Sequence, residues 1–330
     1  MATGSVDPFW GRPVERLDEQ PLSRRETRED QPGTRNADVI HDLKLGQLLK
    51  HHWRDWVVIV ILFVAYCILN VIHGFRRYVG EYNIDLLNIK YPFKGNTIPV
   101  WSVPIYAVLF PILVFLCYFV YRRNVRDTHH AILGLLTAVL LSGVITDVLK
   151  VGVGRPRPDF FFRCFPDGAP LYTTDLMRKV VCTGKASDVR EGYKSFPSGH
   201  ASWSFAGLGY LSFYLAGKVF IFDRRGSTWR LSLIALPLLA AAMVAVSRVS
   251  DYWHFWQDVL VGGLIGLIVA YFCYKQHFPD LSDEKAGHPF PHVGKHTQRS
   301  SPAVANGDPM VHGSYGGRAN GGSSDLESGL

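Results

Sequence analysis

An all-α, polytopic membrane protein with six transmembrane helices in a bundle is the fold class predicted by this 330-residue sequence. Three observations carry the prediction. Hydrophobic residues make up 48% of the chain and charged residues only 19%, with a mean hydropathy of +0.07. Those apolar residues are gathered into blocks instead of recurring at the periods of 2 or 3.6 expected of soluble strands and helices. Residues 56–72, WVVIVILFVAYCILNVI, contain no charge at all. Such a stretch crosses a bilayer as a helix, because a helix satisfies its own backbone polar groups in lipid. Disorder and a single-core soluble fold are both excluded for the middle of the chain.

Six apolar blocks, at 56–74, 101–121, 130–149, 200–221, 231–249 and 255–274, are each long enough for a span of about 20 residues. Trp56, Trp101, Tyr121, Trp253 and Trp256 lie near block ends, where amphipathic rings favour the headgroup zone. The flanks read as polar tails. Residues 1–45 are charged and contain Pro, and 280–330 are rich in Gly and Ser, a composition that builds no core. The spanning domain is therefore expected at 46–279. No apolar stretch follows a basic start, so the first span is expected to act as the insertion signal in place of a cleaved leader.

The formal net charge is +7. The basic residues sit between apolar blocks, where they orient a chain in a bilayer, and no nucleic-acid partner is expected. An even number of spans puts both tails on one side. Lys44, Lys50 and Arg54 lie there, as do Arg122, Arg123 and Arg126 after the second span and Lys218, Arg224, Arg225 and Arg230 after the fourth. That side is expected to be cytosolic. The connection at 150–199 is also basic yet falls on the opposite side, so its charge needs another explanation. Of the five cysteines, only Cys164 and Cys182 lie outside the apolar blocks. Both are in that connection, and a disulfide between them is the expectation.

Three clusters at the ends of the third to sixth spans share the extracytosolic side. The first is KVGVGRPRP, Lys150–Pro158, whose glycines and prolines end the helix in a stiff strap bearing Lys150, Arg155 and Arg157. By itself it reads as a membrane-flanking basic patch. The second is KSFPSGHAS, Lys194–Ser202, where Ser195 suits an N-cap and Pro197 the first turn of a helix. Ser198, Gly199 and His200 would then offer backbone N–H groups to an anion, with His200 as a general acid. The third is SRVSDYWHFWQD, Ser247–Asp258. His254 and Asp258, four residues apart, would share a helix face, the carboxylate fixing the imidazole tautomer and leaving the other nitrogen as a nucleophile. Singly, the second and third clusters also fit a helix-starting turn and an interfacial pair without chemistry.

Together they describe a cage for a tetrahedral dianion. Ionisable groups are costly at span ends unless paired, hydrated or functional. At an effective dielectric near 20, one cation about 4 Å from a unit charge contributes roughly 4 kcal/mol of attraction. Lys150-x6-Arg157-Pro158, Pro197-Ser198-Gly199-His200 and Ser247-Arg248-x5-His254-x3-Asp258 resemble the three-part signature of the type 2 phosphatidic acid phosphatase superfamily, which shares its site with vanadium haloperoxidases. The stretch from about 38 to 280, including YPFKGNTIPVWSVP, HHAILGLL, GRPRPDFFFRCFPDG and KSFPSGHASWSFAGLGYLS, is similar to plant lipid phosphate phosphatases.

The resemblance implies a catalytic core formed by the third to sixth spans, with no metal or other cofactor. It casts His254 as the nucleophile that becomes phosphorylated, Asp258 as its orienting partner and His200 as the proton donor to the leaving oxygen. Lys150, Arg157, Ser198, Gly199 and Arg248 would bind phosphate. The implied substrate is phosphatidate drawn from the bilayer, or lysophosphatidate, diacylglycerol pyrophosphate and related lipid phosphates, in the plasma membrane or an endomembrane. The rivals are a phosphatase of sphingoid-base, prenyl or sugar phosphates, a non-catalytic lipid-binding or lipid-moving relative, and an anion transporter or channel. A silent relative has no need of both histidines and Asp258. A transporter fits poorly with spans that carry no charged residue deep within them, Asp147 near the end of the third and His130 near its start being the exceptions.

Overall fold

The computed structural model describes residues 45–290, apart from 86, 223–226 and 284. The expected tails at 1–44 and 291–330 lie outside the described residues. Among the described residues there are no strands, only isolated bridges pairing Gly80 with Lys179 and Tyr172 with Val180. The long helices are α1 (Trp53–Val71), α2 (Val100–Arg122), α3 (Val125–Val153), α4 (Gly199–Lys218), α5 (Thr228–Ser250) and α6 (Trp256–His277). A short helix, Leu45–His51, precedes α1.

Five of these helices, all but α4, are long and apolar enough to cross a membrane. The reason for the exception is position. α4 reads GHASWSFAGLGYLSFYLAGK and buries most of its side chains against α3, α5 and α6. A helix walled in by protein can use Gly, Ala and Ser where a lipid-facing one needs Leu and Val. α1 is the opposite case, burying only Ile59 and leaving Val60, Ile61 and Phe63 for lipid tails to cover. Close approach of α6 to α4 depends on Gly262 and Gly266. A Cβ at either position would collide with the carbonyl oxygen of Ser198 or Ser202. α3 joins the same centre through hydroxyls, with Ser142 Oγ 2.6 Å and Thr146 Oγ1 2.7 Å from Ser202 Oγ.

Helix termini follow local chemistry. Asn124 caps α3, its side-chain oxygen accepting the Asp127 N–H, and Gly154 ends α3 in a left-handed conformation (φ 56°). Helical structure therefore runs through Gly152. α4 begins three residues later than expected, with Ser198 and not Ser195 at the N-cap position and Pro197 ahead of the helix. The expected tail boundary at 280 also differs from what is seen. Ala286 is buried, Lys218 Nζ donates to the Gly287 carbonyl, and the Phe290 N–H donates to the His277 carbonyl, so residues 280–290 fold back on the bundle.

At the opposite end, the connections between α1 and α2 and between α3 and α4 form a cap with its own small core. Val79, Ile84, Ile89, Phe160, Phe161, Phe165 and Tyr193 pack there around Cys164, which is bonded to Cys182. Part of the basic charge of the 150–199 connection is paired within this cap. Arg163 holds Asp159 through two bonds of 2.7 and 2.8 Å, and Arg178 pairs with Glu81. Replacing both bridged cysteines by serine should destabilise the cap by roughly 3 kcal/mol, the value for a closed loop of this length. The check is a lower thermal midpoint with helical circular dichroism retained.

Candidate active site

The cap holds the strap that follows α3 from both sides. The N–H of Phe75 donates to the Val151 carbonyl at 2.8 Å, that of Arg77 to Gly154 at 3.1 Å, and that of Tyr91 to Pro158 at 3.0 Å. The Arg157 N–H donates to the Gly192 carbonyl at 2.8 Å. Two arginines one residue apart are thereby aimed differently. Arg155 turns to Asp258, its Nη1 lying 2.6 Å from Oδ1, and stacks on the Phe255 ring at 4.2 Å. Arg157 turns inward, buried, with its guanidinium 4.7 Å from the Trp253 ring.

Asp258 is fully buried at the first turn of α6. Its second oxygen accepts from Ser195 Oγ at 2.5 Å and from the Phe255 N–H at 3.1 Å, and its backbone carbonyl accepts the Ser198 N–H at 2.9 Å. The expected His254–Asp258 pair on one helix face is not what forms. His254 lies before α6 starts, and its Nδ1 is 4.0 Å from the carboxylate. Nδ1 instead meets the Ser195 backbone carbonyl at 2.6 Å. A carbonyl only accepts, so Nδ1 carries the proton and Nε2 keeps its lone pair. The tautomer is the one expected, but a main-chain oxygen sets it. Burial, with Arg157 and Lys150 nearby, pushes the His254 pKa well below its ordinary value, so the ring is neutral.

A cavity of about 300 Å³ lies between these groups, lined by Lys150, Arg157, Glu191, Gly199, His200 and His254 on its polar side. Val100, Val103, Pro104 and Trp203 make an apolar wall, and Tyr66 and Asn70 of α1 line it from another side. Two carboxylates occupy the cations. Asp147 lies 3.2 Å from Lys150 Nζ and accepts from Asn70 Nδ2 at 2.9 Å, while Glu191 pairs with Arg157 at 2.5 Å. Burial alone would raise the Glu191 carboxyl, but Arg157, Lys150 and Lys194 outweigh it and hold the group below its ordinary value. Arg157 Nε and Nη1, Ser198 Oγ and His200 Nε2 are buried with no hydrogen-bond partner. Buried polar atoms rarely go unpaired. Their concentration around one cavity, beside two cations, suits a polyanion with several acceptor oxygens.

Lys150, Arg157, Gly199, His200 and His254 thus share a cavity, while Ser198, the residue before Gly199, is not among its lining residues. Arg248 does not line it. Its guanidinium is fully buried and bonded to Asn96 Oδ1 at 2.8 Å, Ser247 Oγ at 3.0 and 3.1 Å and Asp251 Oδ2 at 2.9 Å. Asp251 in turn accepts from Thr97 N–H and Oγ1 at 2.8 and 2.6 Å, tethering the entry to α2, and the His200 ring hydrogen-bonds the Ile98 backbone in that segment. Trp253 also walls the cavity, and its indole N–H donates to the Lys94 carbonyl at 3.0 Å. Sequence reasoning missed the holding role of Arg155 and Ser195 and the presence of Glu191. Arg155 and Ser195 sit inside the recognised clusters, but nothing in their spacing says which way they turn.

Residues 131–281 match the family model described as the PAP2 superfamily, a stretch that holds all three clusters. "Lipid phosphate phosphatase 1" of Arabidopsis thaliana is 51% identical over 276 residues, covering 82% of this chain and 83% of that protein. The chain belongs to the PAP2 superfamily. "Lipid phosphate phosphatase 2" of the same plant is 55% identical over 235 residues, covering 71% of this chain and 80% of its own length. "Diacylglycerol pyrophosphate phosphatase 1" of Saccharomyces cerevisiae is 34% identical over 233 residues, covering 68% and 80% respectively. In this PAP2 protein Glu191 stands where an arriving anion would compete for Arg157. Glu191→Gln should therefore lower the orthovanadate concentration needed for half-inhibition severalfold. Unchanged or weaker inhibition would mean that Glu191 positions Arg157 instead of competing for it.

Proposed function

We propose that this chain is an integral membrane lipid phosphate phosphatase. It hydrolyses phosphatidate to diacylglycerol and phosphate, and accepts related lipid phosphates such as lysophosphatidate and diacylglycerol pyrophosphate, through a phosphohistidine and without a metal ion. The observation that carries this reading is the convergence of a fixed neutral His254, the buried His200 Nε2 and the unpartnered donors of Arg157 on one cavity. Substrates named for the plant and yeast relatives point the same way.

In the first step the His254 Nε2 lone pair attacks phosphorus, a P–N bond forms and the P–O bond to diacylglycerol breaks. His200, having taken up a proton at Nε2 beside the bound dianion, delivers it to the departing oxygen. In the second step water attacks the phosphohistidine, His200 accepts its proton, and the P–N bond breaks to release phosphate and neutral His254. Lys150, Arg157, Ser198 Oγ and the Gly199 N–H at the α4 N-terminus hold the phosphoryl oxygens as charge builds on them. Asp258 acts through Ser195 and Arg155. Arg248 braces the segment that meets His200, and reaches phosphate only by giving up one of its present bonds.

A lipid substrate fits the cavity's position at the span ends and its apolar wall, which borders α1 and α2. The glycerol backbone would lie against Val100, Val103 and Trp203 while the acyl chains stay in the bilayer. The basic turns after α2 and α4 favour cytosolic tails and a cavity on the extracytosolic or lumenal side.

His254→Ala and His200→Ala should each remove nearly all phosphate release from phosphatidate in detergent micelles, with helicity and extraction unchanged. Parental turnover in His254→Ala would refute the mechanism. Activity should persist in excess EDTA, and its loss on chelation would indicate a metal-assisted reaction. The lowered His254 pKa keeps the nucleophile as free base on the acid side of neutrality. The acid limb of kcat/KM should then fall well below pH 6.5, and Arg157→Gln, which removes one cause of the lowering, should move that limb to higher pH.

A further inference from the structure

At the end of the bundle away from the phosphate cavity, three chain segments bring five imidazoles together. His51 and His52 precede α1, His129 and His130 lie in the first turns of α3, and His277 ends α6. Ring centroids are 5.3 Å apart for His52 and His129, 4.9 Å for His52 and His130, and 5.4 Å for His129 and His130. His277 stacks on His130 at 5.4 Å. The phosphatase reading uses none of these residues. Lys150 stands twenty residues beyond His130 on the same helix, about 30 Å away along its axis, so the cluster lies a bilayer core's thickness from the cavity. Nor are the α3 imidazoles needed as caps, since Asn124 already caps that helix.

We propose that His52, His129 and His130 bind one divalent late first-row transition-metal ion, such as Zn²⁺. One ring nitrogen from each lies within 4.8 Å of the others. Tetrahedral Zn²⁺ with nitrogens at about 2.0–2.1 Å needs them roughly 3.4 Å apart, a spacing that small side-chain rotations reach. Three imidazoles without a thiolate suit Zn²⁺, Cu²⁺, Ni²⁺ or Co²⁺ and not Mg²⁺ or Ca²⁺. His52 has the carboxylate that metal-bound histidines commonly carry behind them, its Nδ1 lying 2.7 Å from Asp55 Oδ2. With Nδ1 on that carboxylate, His52 would ligate through Nε2. The contact made by Trp56 opposes binding. The Trp56 indole N–H lies 3.3 Å from His129 Nε2, and a neutral ring accepting there carries its proton on Nδ1, so the ion must displace the indole.

The test is Zn²⁺ binding to tag-free, chelator-stripped full-length protein in detergent, by competition with a chromophoric chelator, and Co²⁺ binding by visible absorption. One ion per chain is expected. His130→Gln should abolish that site, and Asp55→Asn, a change at a half-exposed residue, should weaken it on the order of tenfold. Trp56→Phe should tighten it, while His200→Ala and His254→Ala should leave it unchanged. Tightening by Trp56→Phe cannot arise from misfolding. The proposal is overturned if no ion binds, if His254→Ala removes the site, or if Asp55→Asn and Trp56→Phe both leave the affinity unmoved.

Discussion

The buried carboxylate of Asp258 is the constraint on which the site rests. It joins segments far apart in sequence: the strap after α3 through Arg155, the turn before α4 through Ser195, and the start of α6 through the Phe255 N–H. An ionised carboxylate away from water must be paired and fully hydrogen-bonded, and removing one partner of such a pair commonly costs about 3–5 kcal/mol. Those partners are therefore held where they are. Through the Ser195 carbonyl the same knot reaches His254 and sets which nitrogen carries its proton. Asp258 thus governs His254 without a hydrogen bond to it.

The arrangement answers a difficulty of building an anion site at a membrane surface. Unpaired cations at that depth are costly, yet a phosphate cavity needs them. Here each cation facing the cavity has an acidic partner, Asp147 for Lys150 and Glu191 for Arg157. The two pairs offset one another's charge, and on the proposed function a phosphate would exchange one set of acceptors for another. The polar atoms without a protein partner, on Arg157, Ser198 and His200, remain for a ligand to meet.

Much of this was legible in the sequence because lipid imposes a simple rule. Five spans announce themselves as uncharged runs. The fourth block, 200–221, was counted with them as apolar and long enough, but α4 is less apolar than the others because its surroundings are protein. The members of the site were legible too, because Lys150, Arg157, His200 and His254 are residue types that bilayers exclude unless used. Side-chain direction was not. Arg155 and Arg157 look equivalent in a strap of alternating Arg and Pro, but backbone bonds to Gly154, Pro158 and Gly192 turn one to Asp258 and the other to the cavity. Arg248, expected on the phosphate, is engaged by Asn96 and Asp251, and Asn96 lies 152 positions away. Trp253, at a span end like the other tryptophans, also walls the cavity, which nothing in its sequence position announces.

By itself the sequence determined the helical membrane class, the order of the spans and the residue types gathered at their ends. Those follow from transfer free energies and backbone hydrogen bonding, which act on each segment locally. The tertiary structure decided which polar atoms are paired and which are left for a ligand. It also decided that a main-chain carbonyl, not a carboxylate, fixes the tautomer of His254. Those outcomes depend on distances of a few ångströms between segments that meet only after α4 and α6 close on Gly262 and Gly266.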